Sequence, residues 1–186
     1  AKLVFATQPW NGTGGSPLTI QPVVVIQDAG GNTVTTSNAN VTLVIGTNSG
    51  GGTLTGSTTA AVNGVATFAN VSVNKIGTGY TLMATLSGLT SATSNAFSVT
   101  LGLPAKLAFA TQPVNGTGGG LLTPQPAIAI QDAGGNIVTN SSAIVTITIG
   151  ANPGSGTLSG TTTVLAVNGV ATFTSLSIDK RGVGYT

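Results

Sequence analysis

AVNGVATF fills residues 61–68 and returns unchanged at residues 166–173. At its centre stands Asn63-Gly64, the strongest short hairpin signal, because a type I′ turn needs φ > 0 at both central positions and Asn-Gly tolerates that best. The octapeptide reads as a tight turn between two strands. Its verbatim return says that one unit has been written twice, and repeats decide the architecture before any single element does.

Working outward, AKLVFATQPWNGTGG from Ala1 returns as AKLAFATQPVNGTGG from Ala105, an offset of 104. The offset holds between GTLTGSTT at Gly52 and GTLSGTTT at Gly156, then becomes 105 at AVNGVATF, so the second copy carries one extra residue just before the hairpin. The expected division is residues 1–104 and 105–186. The join, Leu101-Gly102-Leu103-Pro104, is short and ends in proline, which favours a stiff head-to-tail array. Tyr185-Thr186 align with Tyr80-Thr81, so nothing in the second copy matches residues 82–100 and that copy is expected to lack its last strands. A continuation of the chain, or a strand added by a neighbouring chain, would complete it. With neither a start methionine nor a signal peptide in front, the chain reads as a piece of something longer.

Periodicity is two wherever it can be tested. In IVTITIG, Val145, Ile147 and Ile149 alternate with Thr146 and Thr148. Thr, Val and Ile dominate these runs, and no window of a dozen residues favours a helix. Strands are expected at residues 2–7, 21–27, 33–36, 41–45, 54–62, 65–73, 80–86 and 96–101 of the first copy. Such short strands, punctuated by Gly and Asn turns, predict an all-β chain of tandem antiparallel β-sandwiches. The expected core is Leu3, Phe5, Val24, Ile26, Val41, Leu43, Ile45, Phe68, Val71, Val73, Tyr80, Leu82, Ala84, Leu86, Phe97 and Val99. Tyr80 opens the penultimate strand, a place for a structural hydroxyl bond.

Charged residues make up 4% of the chain, where about 25% is usual. Histidine, glutamate and cysteine are absent, which removes the common general bases, the soft and borderline metal ligands and a paired-carboxylate site. Mean hydropathy is positive, yet no apolar run approaches the ~20 residues of a spanning helix. Lys2, Lys75, Lys106, Lys180 and Arg181 are scattered, so no basic patch for nucleic acid is expected.

The one motif that tempts a functional reading is IQDAGGN, at residues 26–32 and again at 130–136. As a phosphate cradle it lacks the following helix and the Lys-Ser/Thr pair. As a calcium loop it offers one carboxylate and one amide against the six to eight oxygens the ion takes. Asp28 and Asp132 are therefore read as turn caps. Lys2 lies beside inward-facing Leu3 and should point outward, away from any isopeptide partner. Serines and threonines have no base beside them. Sequons at Asn11, Asn40, Asn70, Asn115 and Asn140 match chance for this composition, and Trp10, Val114 in the second copy, is the one aromatic that breaks the repeat. No catalytic, cofactor-binding or metal-ligating residue is expected, and no cofactor.

AKLVFATQP, VVVIQDAGGNTV, GTLTGSTTAAVNGVATF, GTGYTLMA and SNAFSV together resemble the bacterial immunoglobulin-like (Big) domains, which repeat in tandem in large surface and secreted proteins of the invasin and intimin type. The resemblance covers the first copy and the second as far as it runs. It implies immunoglobulin-like sandwiches serving as the body of an extracellular or cell-surface filament, sheath or adhesin stalk, without catalysis and with self-association as the expected partnership. A carbohydrate- or host-surface-binding module of a secreted protein is the alternative reading, for which one tryptophan and two loop aspartates are the only support.

Overall fold

The computed structural model describes all of Ala1–Thr186. Strand is its only regular secondary structure, as the period of two requires, and the chain is all-β. No helix is long and apolar enough to cross a membrane. The chain divides into two compact units, one made of Ala1–Gly102 with Asp132–Asn136, the other of Leu103–Gln131 with Ile137–Thr186.

The first unit holds twelve strands: β1 Lys2–Thr7, β2 Gly12–Thr13, β3 Val23–Gln27, β4 Asn40–Ile45, β5 Leu54–Thr55, β6 Thr58–Ala60, β7 Val65–Thr67, β8 Ser72–Val73, β9 Gly77–Tyr80, β10 Leu82–Thr85, β11 Ala92–Thr93 and β12 Phe97–Thr100. They form sheets in the orders β1-β3-β7, β11-β10-β4-β6 and β2-β12-β9, with a separate β5-β8 pair. Alternation sets the burial: in β1 Leu3 and Phe5 are buried while Lys2 and Ala6 are exposed. Leu3, Val24, Val41, Leu82 and Phe97, from five different strands, meet in one apolar cluster. Each such side chain contributes roughly 1.5–3 kcal/mol on leaving water. Fourteen expected core residues belong to the buried cluster, and Ile45 and Leu86 pack against it half-buried. Leu18, Ala61 and Ala66 join it without having been expected.

Several strands are shorter than the apolar pattern predicts. The Asn63-Gly64 turn has both residues at positive φ, 50° and 78°, and Val62 and Val65 exchange backbone bonds of 2.9 and 3.0 Å across it. Beyond that one bridge its arms part, because β6 pairs with β4 while β7 pairs with β3. The expected long strands 54–62 and 65–73 are each broken where Gly56 and Asn70 take φ of 67° and 59°, a conformation that ends a ladder. Residues 33–36 form no strand; Thr33 makes a single bridge to Gln27.

The second unit contains β13 Lys106–Thr111, β14 Ala127–Gln131, β15 Ile144–Thr146, β16 Leu158–Ser159, β17 Thr163–Leu165, β18 Val170–Thr172 and β19 Ser177–Ile178. Its sheets are β13-β14-β18, β15-β17 and β16-β19. Leu107 faces Ile130 and Phe109 faces Ile128, the register that sets Leu3 against Ile26 and Phe5 against Val24, including the irregularity one residue later. The core here is thinner. Leu107 is 58% exposed and Phe109 45%, where Leu3 and Phe5 are 3% and 8%. β15 covers only half of the counterpart of β4, since β4 is held by β6 on one side and β10 on the other, whereas β15 pairs with β17 alone.

Candidate functional site

Both IQDAGGN segments close as the same turn. Asp28 Oδ1 accepts the Asn32 N–H at 2.9 Å, and the Asn32 carboxamide donates to Oδ2 at 3.1 Å. In the second hairpin Asp132 Oδ1 accepts the Asn136 N–H at 2.9 Å, and Asn136 Nδ2 lies 3.0 Å from each carboxylate oxygen. Gly31 and Gly135 supply φ of 91° and 80°, which a side chain with a Cβ adopts only under strain. Around Asp132 the Gly102 N–H adds a bond to Oδ2 at 3.1 Å, and the residue is fully buried within the first unit.

The two carboxyls are held below the ordinary aspartate value for different balances of cause. At Asp28 the Asn32 carboxamide and backbone N–H dominate. At Asp132 burial opposes ionisation, and the bonds from Asn136, Gly102 and Gly134 outweigh it. A carboxylate already accepting several N–H donors offers little to a cation. No three His, Cys, Asp or Glu side chains converge anywhere in the chain.

The third aspartate clarifies what these groups supply. Asp179 Oδ1 accepts the Thr157 N–H at 2.6 Å, and at the matching place in the first copy Asn74 Oδ1 accepts the Thr53 N–H at 2.7 Å. Acid and amide are interchangeable there, so the acceptor oxygen is the function and the charge is incidental.

Uncharged side chains do the remaining loop work, and their roles repeat. Gln21 accepts from the Val71 N–H at 2.7 Å and donates to Leu18 O at 2.9 Å; Gln125 binds Leu176 N–H and Leu122 O at 2.9 and 2.7 Å. Asn48 spans both backbone groups of Gly52 as Asn152 does those of Gly156. The Tyr80 hydroxyl donates to Lys75 O and that of Tyr185 to Lys180 O, both at 3.0 Å. Every buried side-chain polar atom has a partner. The glutamine and asparagine clamps escaped the sequence reading, although Gln-Pro at residues 21–22 and 125–126 recurs in register and signalled them.

Lys2 is exposed, as are all five sequon asparagines. Trp10 is 57% exposed and Val114 56%, so the aromatic that breaks the repeat sits at the surface in both its forms. The second unit carries a groove of about 270 Å³ bordered by Leu107, Phe109, Ile128, Val145 and Ile147 with two threonines and an alanine. It carries no titratable group, so the groove can hold an apolar chain but has no means of proton transfer.

Compared with known proteins, the chain matches no family model, no curated protein and no solved structure.

Proposed function

We propose that the chain is a stretch of tandem immunoglobulin-like β-sandwiches, of the Big kind, that forms the body of an extracellular or cell-surface bacterial filament, sheath or adhesin stalk. In this role it bears load and sets distance, without catalysis and without a cofactor, and its partners are neighbouring repeats or subunits. The observation that carries the reading is the use made of the polar side chains. Asp28, Asp132, Asn48, Asn152, Tyr80 and Tyr185 bind backbone groups of their own loops, Gln21 and Gln125 tie theirs to the backbone of Val71 and Leu176, and all do so in matching pairs. Such expenditure stiffens loops, which suits a spacer; a binding face keeps its polar groups aimed outward. The short Leu101–Pro104 join supports a stiff array.

Immunogold labelling of the native source with antibody against residues 1–186, followed by electron microscopy, tests this. Label along surface-attached filaments or sheaths is expected. Label confined to the cytoplasm would overturn the reading, and saturable binding to a glycan array that Trp10→Ala abolishes would replace it with the carbohydrate-binding alternative.

A further inference from the structure

We propose that the first unit carries a recognition seat for an Asp-x-Gly-Gly-Asn turn, and that the partner it selects is a repeat of this chain's own type, presented through the turn at Asp132–Asn136. The proposal stands on the geometry of that seat and does not depend on the filament reading.

The compact first unit includes five residues that the sequence places in the second copy, Asp132–Asn136. Backbone groups do most of the holding. The Gly134 N–H donates to Gly14 O at 3.0 Å. The Asn136 carboxamide donates to Asn74 O at 2.8 Å, while its oxygen accepts the Ile76 N–H at 3.4 Å. The Gly102 N–H donates to Asp132 Oδ2 at 3.1 Å, and the Lys75 ammonium donates to Gly135 O at 3.3 Å. Asp132 and Asn136 are buried in this seat.

Shape is selected as well as hydrogen bonding. A Cβ on Gly14 would overlap Asn136 Nδ2 and Asp132 Oδ2, one on Gly15 would overlap Gly134 N, and one on Gly134 would overlap Asn74 O. Backbone therefore lies directly against backbone, and a side chain at any of these positions would hold the two surfaces apart. The matching turn of the first copy shows that this demand comes from the seat. Asp28–Asn32 closes with the same internal bonds, yet a Cβ on Gly30 would meet only its own turn's Asn32 and Asp28 side chains, at 3.3 and 3.4 Å. Neither Gly30 nor Gly134 has a positive φ, so the turn itself does not require glycine there.

The chemistry of the occupant follows. It must be bare at the third position of the turn, and its fifth residue must donate to one backbone group while accepting from another. Asparagine does both, whereas an ionised aspartate only accepts. The seat is written into the repeat as the turn is, since Gly14, Gly15 and Lys75 recur as Gly118, Gly119 and Lys180. Seat and turn are different features of one repeat, so the contact is heterologous, the kind that joins like units head to tail.

The test follows hydrogen exchange in the intact chain. Gly134→Ala should empty the seat and speed exchange of the Gly102 and Ile76 amides at least about tenfold. The core amides of Ile26 and Leu43, bonded to Gly64 O and Ser57 O, should be unchanged, and the Asn136 amide should stay protected by Asp132 because the turn still closes. Gly30→Ala, the same change in the first copy's turn, should move none of them. Gly14→Ala, made on the seat side, should speed the same two amides, and the Gly14→Ala, Gly134→Ala double variant should do no more than either alone, since both remove one contact. Unchanged exchange at Gly102 and Ile76 in the Gly134→Ala chain, an equal effect of Gly30→Ala, or single effects that multiply in the double variant would overturn the proposal. So would acceleration that spreads to the core amides, which would make the turn a packing element of the first unit and not a selected partner.

Discussion

Asp28 and Asp132 make the same bonds to the asparagine four residues on, and they differ in what else surrounds them. Replacing Asp132 by Asn turns one acceptor oxygen into an NH₂ group facing the Asn136 carboxamide or the Gly102 N–H. Leaving buried donors without an acceptor costs about 1–3 kcal/mol, so Asp132→Asn should lower stability by that amount in chemical denaturation. Asp28→Asn should cost less, since water can serve the exposed turn. Asp179→Asn should leave the melting temperature unchanged, because Asn74 already performs the same acceptor role in the first copy. The pH dependence has a definite sign. Both Asp28 and Asp132 are held below the ordinary value of 3.8 in the folded chain, so their ionised forms contribute stability that is fully present above that value and is lost as pH falls through the folded ones. Denaturation midpoints should stay flat from neutral pH to about pH 5 and decline below about pH 4. In the Asp28→Asn, Asp132→Asn double variant the acid decline should be shallower, and an unchanged acid limb would show that these carboxylates are not its source.

The Asn63-Gly64 turn is the element on which the fold was read. A Cβ on Gly64 would stand 2.5 Å from the Val34 carbonyl oxygen, at φ of 78°, so both space and conformation resist a side chain. Gly64→Ala should therefore destabilise the first unit by about 1–3 kcal/mol, and Gly169→Ala should do the same to the second, where the Val138 oxygen lies 2.4 Å from the built position. Tyr80→Phe should cost about 1 kcal/mol through loss of the bond to Lys75 O. These turns were legible because Asn-Gly and Asp-x-Gly-Gly-Asn specify backbone conformation directly. The alternating core of β1, β3, β4 and β10 was legible for the same local reason, since strand burial has a period of two. The partner of each strand was not. Val62 and Val65 look like the inner ends of one long hairpin, yet their strands pair with β4 and β3 in different sheets, a choice made by long-range packing. Short strands such as β2 and β11, two residues each, carry no periodicity at all. The Gln21 clamp shows in the sequence only as the recurring Gln-Pro pair, because the Val71 backbone it binds lies 50 positions away.

Across the whole molecule, two nearly identical sequences carry unequal cores. Leu3 and Leu107 occupy the same ladder position against Ile26 and Ile130, yet one is 3% exposed and the other 58%. Truncating a buried leucine costs about 2–5 kcal/mol, whereas truncating one already facing water costs far less. Leu3→Ala should therefore lower the first unit's transition by several degrees in calorimetry, while Leu107→Ala should scarcely move the second's. Equal shifts of the two transitions would show that ladder position, and not the cover over the side chain, sets what each leucine contributes.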